Sequence, residues 1–284
     1  MKLNLKNVPN TLDDCSKKQI IKILKIASDN TLAPLIKRVK LFYILIEDQG
    51  NFFNKISYWY QLSFKLWWVK TGLGKFVHSE EGLNIDITLS ECDFEELSYD
   101  VEDYTEFLFS EDEILLKQKL KRIGLFKVGP TDYFGNLTFK QFREADSEFY
   151  QMLEQKEQSG KLEISNAFIN ALYTDFFPFI YHAKSNLTEH EKKLILMYYV
   201  GNRRQLALEF PYVFKPKSSN KTSEFSKMME YSDMWENILD TIAEKPQFYS
   251  IVDRLNVRSV LKNLDQKFAK DEAIKTAYEQ SGVY

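Results

Sequence analysis

The chain has 284 residues, 28% of them charged and 44% apolar, which excludes a fibrous or generally disordered protein and suits one large domain or two modest ones. Ten Gly and seven Pro are about half the usual share of each, so a helix-rich fold is favoured over a sandwich or barrel with many tight turns. The net charge of −3 argues against a globally basic nucleic-acid binder, but the charge is polarised: Met1 to Lys40 holds nine Lys or Arg against three Asp, and Ser79 to Glu113 holds fourteen acidic residues and no basic one.

In chain order, Ser16 followed three residues later by Gln19 is a capping-box pattern, and Ile20, Ile23 and Leu24 supply an apolar face for a helix to about Ser28. Pro34 falls in the first turn of a second helix, which carries Leu35, Val39, Phe42, Tyr43 and Ile46 at three- and four-residue spacings. A third helix is predicted from Phe53 to Lys70, stopped by Gly72 and Gly74. The β-branched clusters around Glu80-Glu81-Gly82 then read as a hairpin, followed by an acidic tract of short elements and loop. Glu111 to Arg122 reads as helix and Leu125 to Val128 as a strand, closing an α+β half near residue 130.

Beyond Asn136 the pattern is all-helical. Thr138 with Gln141, and Thr188 with Glu191, repeat the capping box. Between them Ile164 to Phe176 reads as a helix capped by Ser165 or Asn166 and stopped by Pro178. Gly201 is expected to end the Thr188 helix, with a short helix from Asn202 to Phe210 before Pro211. Lys215 to Lys221 reads as a polar, basic loop, Thr222 to about Glu244 as a helix, and Val257 to Gln280 as a last helix that grows more polar. The expected fold is therefore mainly α: a helical C-terminal domain, 131–284, and a smaller α+β, hairpin-bearing N-terminal region, 1–130, containing the acidic tract.

No chemistry is assembled by spacing. Gly72-Leu73-Gly74-Lys75 lacks the first glycine and the hydroxyl of a phosphate loop, since Val69 and Phe76 stand there. His190-Glu191 opens like a zinc-protease helix, but Leu194 occupies the second ligand position. Cys15 and Cys92 form no metal spacing and no disulfide framework, which suits a reducing compartment. No cofactor, metal ligand or catalytic residue is expected. Met1 to Lys6 lacks the apolar core of a signal peptide and Ile56 to Val69 is too short to span a bilayer, so the expectation is no membrane and a place in the cytoplasm of a bacterial host cell or in a virion.

The candidate interaction residues are of two kinds. Trp59, Trp67 and Trp68 lie on the predicted third helix, where adjacent tryptophans cannot both face inward. Arg203 and Arg204, with Lys215, Lys217 and Lys221, form a basic cluster suited to phosphate or an acidic partner.

Leu137-Thr138-Phe139-Lys140-Gln141-Phe142, Ala171-Leu172-Tyr173, Tyr199-Val200-Gly201-Asn202, Phe210-Pro211-Tyr212-Val213-Phe214 and Met234-Trp235-Glu236-Asn237-Ile238-Leu239 follow one another in an order that resembles helical proteins of tailed phages and prophages of Bacteroidetes-type hosts. Some of those proteins look like tail-assembly chaperones or virion components. The resemblance covers residues 137 to 261 and implies no catalytic residues, only a part in phage morphogenesis alongside other phage or structural proteins or further copies of the chain. The expectation is thus a non-enzymatic interaction role in assembly. The alternatives are a nucleic-acid-associated protein using the basic cluster, and an acid/base enzyme using carboxylates of the acidic tract.

Overall fold

The computed structural model describes residues 9–32, 34–46, 105–109, 114–124, 127–175, 187–214 and 235–281. Two compact units, Met1–Glu113 and Ile114–Tyr284, divide the chain. Among the described residues the architecture is mainly α, and no helix is long and apolar enough to cross a membrane. The predicted third helix and hairpin, and the acidic tract apart from 105–109, lie outside the described residues.

In the first unit, α1 (Lys17–Ala27) begins with the capping box read from the sequence: the Ser16 hydroxyl accepts from the Gln19 amide at 3.2 Å, and Gln19 Oε1 accepts from the Ser16 amide at 2.8 Å. The same glutamine is buried, and its Nε2 donates to the Ile44 and Leu45 carbonyls at 3.2 Å. These carbonyls belong to the last turn of α2 (Pro34–Ile46), so one side chain satisfies groups that both helix ends leave unpaired. Ile20 and Ile23 meet a core with Leu41, Phe42 and Leu45, and Cys15 is a fully buried thiol. Thr105 is buried, Glu106–Phe109 forms a short 3-10 turn, and the Arg38 guanidinium lies 5.5 Å from the Phe109 ring centre.

The second unit opens on an irregular run, 114–121, where the sequence predicts helix. Tertiary partners take the backbone groups that a helix would have used. Asn202 Nδ2 donates to the Leu116 carbonyl at 3.1 Å, the Gln118 amide donates to Asp132 at 2.7 Å, and the Leu120 amide donates to the Gln118 side chain at 3.1 Å. A small antiparallel sheet follows, built from β1 (Arg122–Ile123), β2 (Lys127–Val128) and β3 (Thr174–Asp175) in that order. Ile123 pairs with Lys127, and Val128 with Thr174.

The helices of this unit are α3 (Phe139–Ser159), α4 (Asn166–Leu172), α5 (Glu189–Glu209), α6 (described over 235–243), α7 (Tyr249–Arg254) and α8 (Val257–Ser281). Capping boxes at Thr138 and Thr188 start α3 and α5, as their sequences predict, and Ser165 caps α4. Helix α4 ends earlier than expected, because the chain from Thr174 is drawn onto the edge of β2. Helix α5 differs more: it runs unbroken through Gly201 to Glu209. That glycine answers a close approach, since a Cβ there would lie 2.6 Å from the Leu115 carbonyl oxygen.

The starts of α3 and α8 cap each other. The Phe139 amide donates to the Leu255 carbonyl at 2.8 Å and the Val257 amide to the Leu137 carbonyl at 2.9 Å, so two N-terminal donors are satisfied reciprocally. Between the helices lies an aromatic core. Phe168 meets Tyr199 at 5.0 Å and 90°, Phe142 meets Trp235 at 5.2 Å and 86°, and Phe134 meets Tyr198 at 5.4 Å and 82°, all in the edge-to-face geometry that aromatic quadrupoles favour. Among the described residues of this unit, Phe134, Phe142, Phe168, Tyr198, Tyr199 and Trp235 thus go into packing.

Candidate functional site

The polar centre of the second unit is Asp146, which is fully buried. Helix α3 carries Phe139, Phe142, Ala145 and Met152 towards the core, and Asp146 lies on that same stripe, four residues after Phe142. Its Oδ1 accepts from the Tyr199 hydroxyl at 2.7 Å and from Arg203 Nε at 2.5 Å, and its Oδ2 accepts from Trp235 Nε1 at 2.8 Å. Three helices, α3, α5 and α6, are thus fastened to one carboxylate. Arg203 also donates to the Tyr150 hydroxyl at 2.5 Å, and its guanidinium lies 5.1 Å from the Tyr150 ring centre, 5.8 Å from Phe214 and 5.9 Å from Phe149. Burial and the adjacent carboxylate push the Tyr199 phenol well above its ordinary value, while the desolvation of Arg203 is outweighed by Asp146, Tyr199 and Tyr150 acting together, which hold it charged.

Beside this network a cleft of about 620 Å³ opens between α3, α4 and α6. Arg143, Glu148, Asn170, Trp235 and Glu236 contribute to its lining. Arg143 is held by Glu236 at 2.7 Å and by Asp253 at 2.9 Å, and the Ser165 cap donates to Glu148 at 3.0 Å. The volume is that of a small-molecule pocket, and of the charged groups on its wall Arg143 and Glu236 are engaged with each other. Among the described residues no group of three His, Cys, Asp or Glu side chains is placed to hold a metal ion.

The structure sets Arg203 and Arg204 apart. Arg203, expected to face a phosphate or an acidic partner, is turned inward and ion-paired to Asp146, with only 18% of its side chain exposed. The reason is that α5 continues through Gly201, so that Arg203 sits one turn beyond Tyr199 on the buried face. Arg204, the next residue, is exposed. Trp59, Trp67, Trp68, Lys215, Lys217 and Lys221 lie outside the described residues. Asp146, not among the residues that spacing singles out, does carry a signal in the sequence, since a carboxylate on an apolar stripe marks a buried pair.

The surface carries a different feature. Phe248 just before α7, Ile251 within it and Leu255 just after it are 41%, 56% and 44% exposed, while Val252 within the helix is buried. Comparison with models of known families, with curated proteins and with solved structures finds no match for this chain.

Proposed function

We propose that this protein has a non-enzymatic, protein-interaction role in tailed-phage morphogenesis, as a tail-assembly chaperone or a virion component. The observation that carries the interaction reading is the exposure of three apolar side chains around α7, Ile251 within it and Phe248 and Leu255 at its two ends. Clustered exposed apolar side chains of this kind mark protein interaction sites. The polar core points the same way, because Asp146 and Arg203 spend their charge on joining helices.

The phage context comes from the sequence resemblance over residues 137–261. Many of the residues that carry it, including Phe139, Phe142, Tyr199 and Trp235, are buried, so the resemblance bears on how the helices pack. The nucleic-acid alternative loses Arg203 and would rest on Arg204 and the 215–221 segment.

Affinity purification of the tagged chain from phage-producing cells, followed by mass spectrometry and by assay of purified virions, tests the proposal. Recovery with head or tail proteins is expected, reduced by Ile251→Glu; presence in the virion marks a component and absence a chaperone. Recovery alone, or with nucleic acid that is released as salt rises, would overturn it.

A further inference from the structure

The cleft between α3, α4 and α6 holds groups that helix packing leaves unmatched. Its walls carry three carboxylates, Glu144, Glu148 and Glu236, against one guanidinium, Arg143, which is itself divided between Glu236 at 2.7 Å and Asp253 at 2.9 Å. Glu144 meets only Lys140, at 3.7 Å, with both side chains more than half exposed, a pairing of little strength. Glu148 is half-buried, accepts the Ser165 hydroxyl at 3.0 Å and, among the described residues, has no basic side chain in ion-pair contact. A carboxylate partly withdrawn from water without a counter-ion favours a cation that enters from outside. Two neutral polar groups share the wall. The buried Lys127 ammonium donates to Asn170 Oδ1, which leaves the amide NH2 as a donor, and Ser147 adds a hydroxyl. On the α4 side the short side chains of Ala167 and Ala171 keep the cleft open.

We infer that this cleft receives an arginine residue of a partner polypeptide. Glu144 and Glu148 lie one turn apart on the same face of α3, and the forked N–H donors of a guanidinium bridge two carboxylates better than the compact ammonium of lysine does. The Asn170 amide and the Ser147 hydroxyl are donors for the backbone carbonyl beside that arginine. A volume of about 620 Å³ exceeds one side chain, so flanking backbone enters with it. Charge decides against other occupants. A phosphate or carboxylate would meet the excess of carboxylates, and an apolar group would leave Glu148 without a counter-ion in a drier site. Arginine is one of the residues that most often anchor protein interfaces. The inference rests on the interaction reading and names the group that the partner supplies.

NMR titration of the isotope-labelled full chain with the capped peptide acetyl-Gly-Arg-Gly-amide, followed at the signals of Ala167 and Ala171, tests this. Saturable shifts are expected, weakening as salt rises. The same peptide with citrulline, which keeps the shape and removes the charge, should bind about tenfold more weakly, as should the arginine peptide to Glu148→Gln, which keeps an acceptor for Ser165. Glu163→Gln, at an exposed carboxylate outside the cleft, should change nothing. Ala167→Trp fills the cleft and should abolish binding without touching any carboxylate, and circular dichroism verifies the fold of each variant. Propylguanidine, the cation without the backbone, should bind about tenfold more weakly than the peptide; binding as tight as the peptide's would assign the cleft to a free small cation and overturn the polypeptide partner. No saturable shift at low salt, equal binding of the citrulline peptide, or undiminished binding by Ala167→Trp would overturn the inference. The titration contains no phage protein, so its failure is distinct from a failure to recover head or tail proteins.

Discussion

Helix α5 is buried on two opposite sides, and they are held by different physics. On one side Tyr199 and Arg203 deliver hydrogen-bond donors to a carboxylate sunk among aromatic rings. On the other, Gly201 and Asn202 receive bare backbone: the glycine lets the Leu115 peptide come within reach, and the asparagine donates to the Leu116 carbonyl. The first side depends on charge being matched in a medium that solvates it poorly, the second on the absence of a side chain. Damage to the first should leave an uncompensated ion, and damage to the second a steric clash.

The largest effect is expected at the charged side. Asp146→Ala strands Arg203, and a loss of about 3–5 kcal/mol is expected in urea unfolding, as for other broken buried pairs. Adding Arg203→Met should recover much of it; a double variant as unstable as the sum of the two singles would mean that Asp146 acts through Trp235 and Tyr199 instead. On the other side, Gly201→Ala gains helix propensity but drives a Cβ to 2.6 Å from a backbone oxygen. A net loss of about 1–3 kcal/mol is expected from overpacking. If the variant is more stable than the parent, the close approach is not what fixes the glycine.

The aromatic filling between the two sides gives a pH test. Burial raises the phenols of Tyr173, Tyr198 and Tyr199, so the folded state resists their ionisation. A raised folded-state value means the stability is whole below the unfolded phenol's pKa of about 10 and is lost as the pH climbs beyond it, by about 1.4 kcal/mol per pH unit for each phenol. Chemical unfolding followed across that range should show the decline, shallower in Tyr199→Phe.

The smallest effect concerns the turn under this core. Tyr133 and Phe134 both hold left-handed backbone, at φ 59° and 57°, while the Tyr133 carbonyl is tied to Arg258 at 2.8 Å and the Tyr198 hydroxyl donates to the Thr131 carbonyl at 2.7 Å. Tyr133 is 43% exposed, so Tyr133→Asn relieves the backbone at little cost in burial. A gain of up to about 1 kcal/mol in thermal unfolding is expected.

Much of this was legible beforehand, for local reasons. The capping boxes at Ser16, Thr138 and Thr188 join residues three apart, so the sequence carries both partners of each bond. The span of α8 from Val257 followed from periodicity. What misled was read locally and decided at a distance. Gly201 has the look of a helix terminator, and its true constraint comes from Leu115, far away in the chain. Arg203 reads as half of a basic dipeptide until Asp146 is found beside it.

By itself, then, the sequence determined a mainly helical protein and where several of its helices start, because propensity, capping and periodicity act over a few residues. Only the tertiary structure decided that 114–121 gives up a helix for hydrogen bonds to α5 and Asp132, that α5 runs through its glycine, and that Asp146 gathers Tyr199, Arg203 and Trp235. Each of those outcomes depends on a buried polar group or a bare backbone finding its partner from another part of the chain, and no local spacing names that partner.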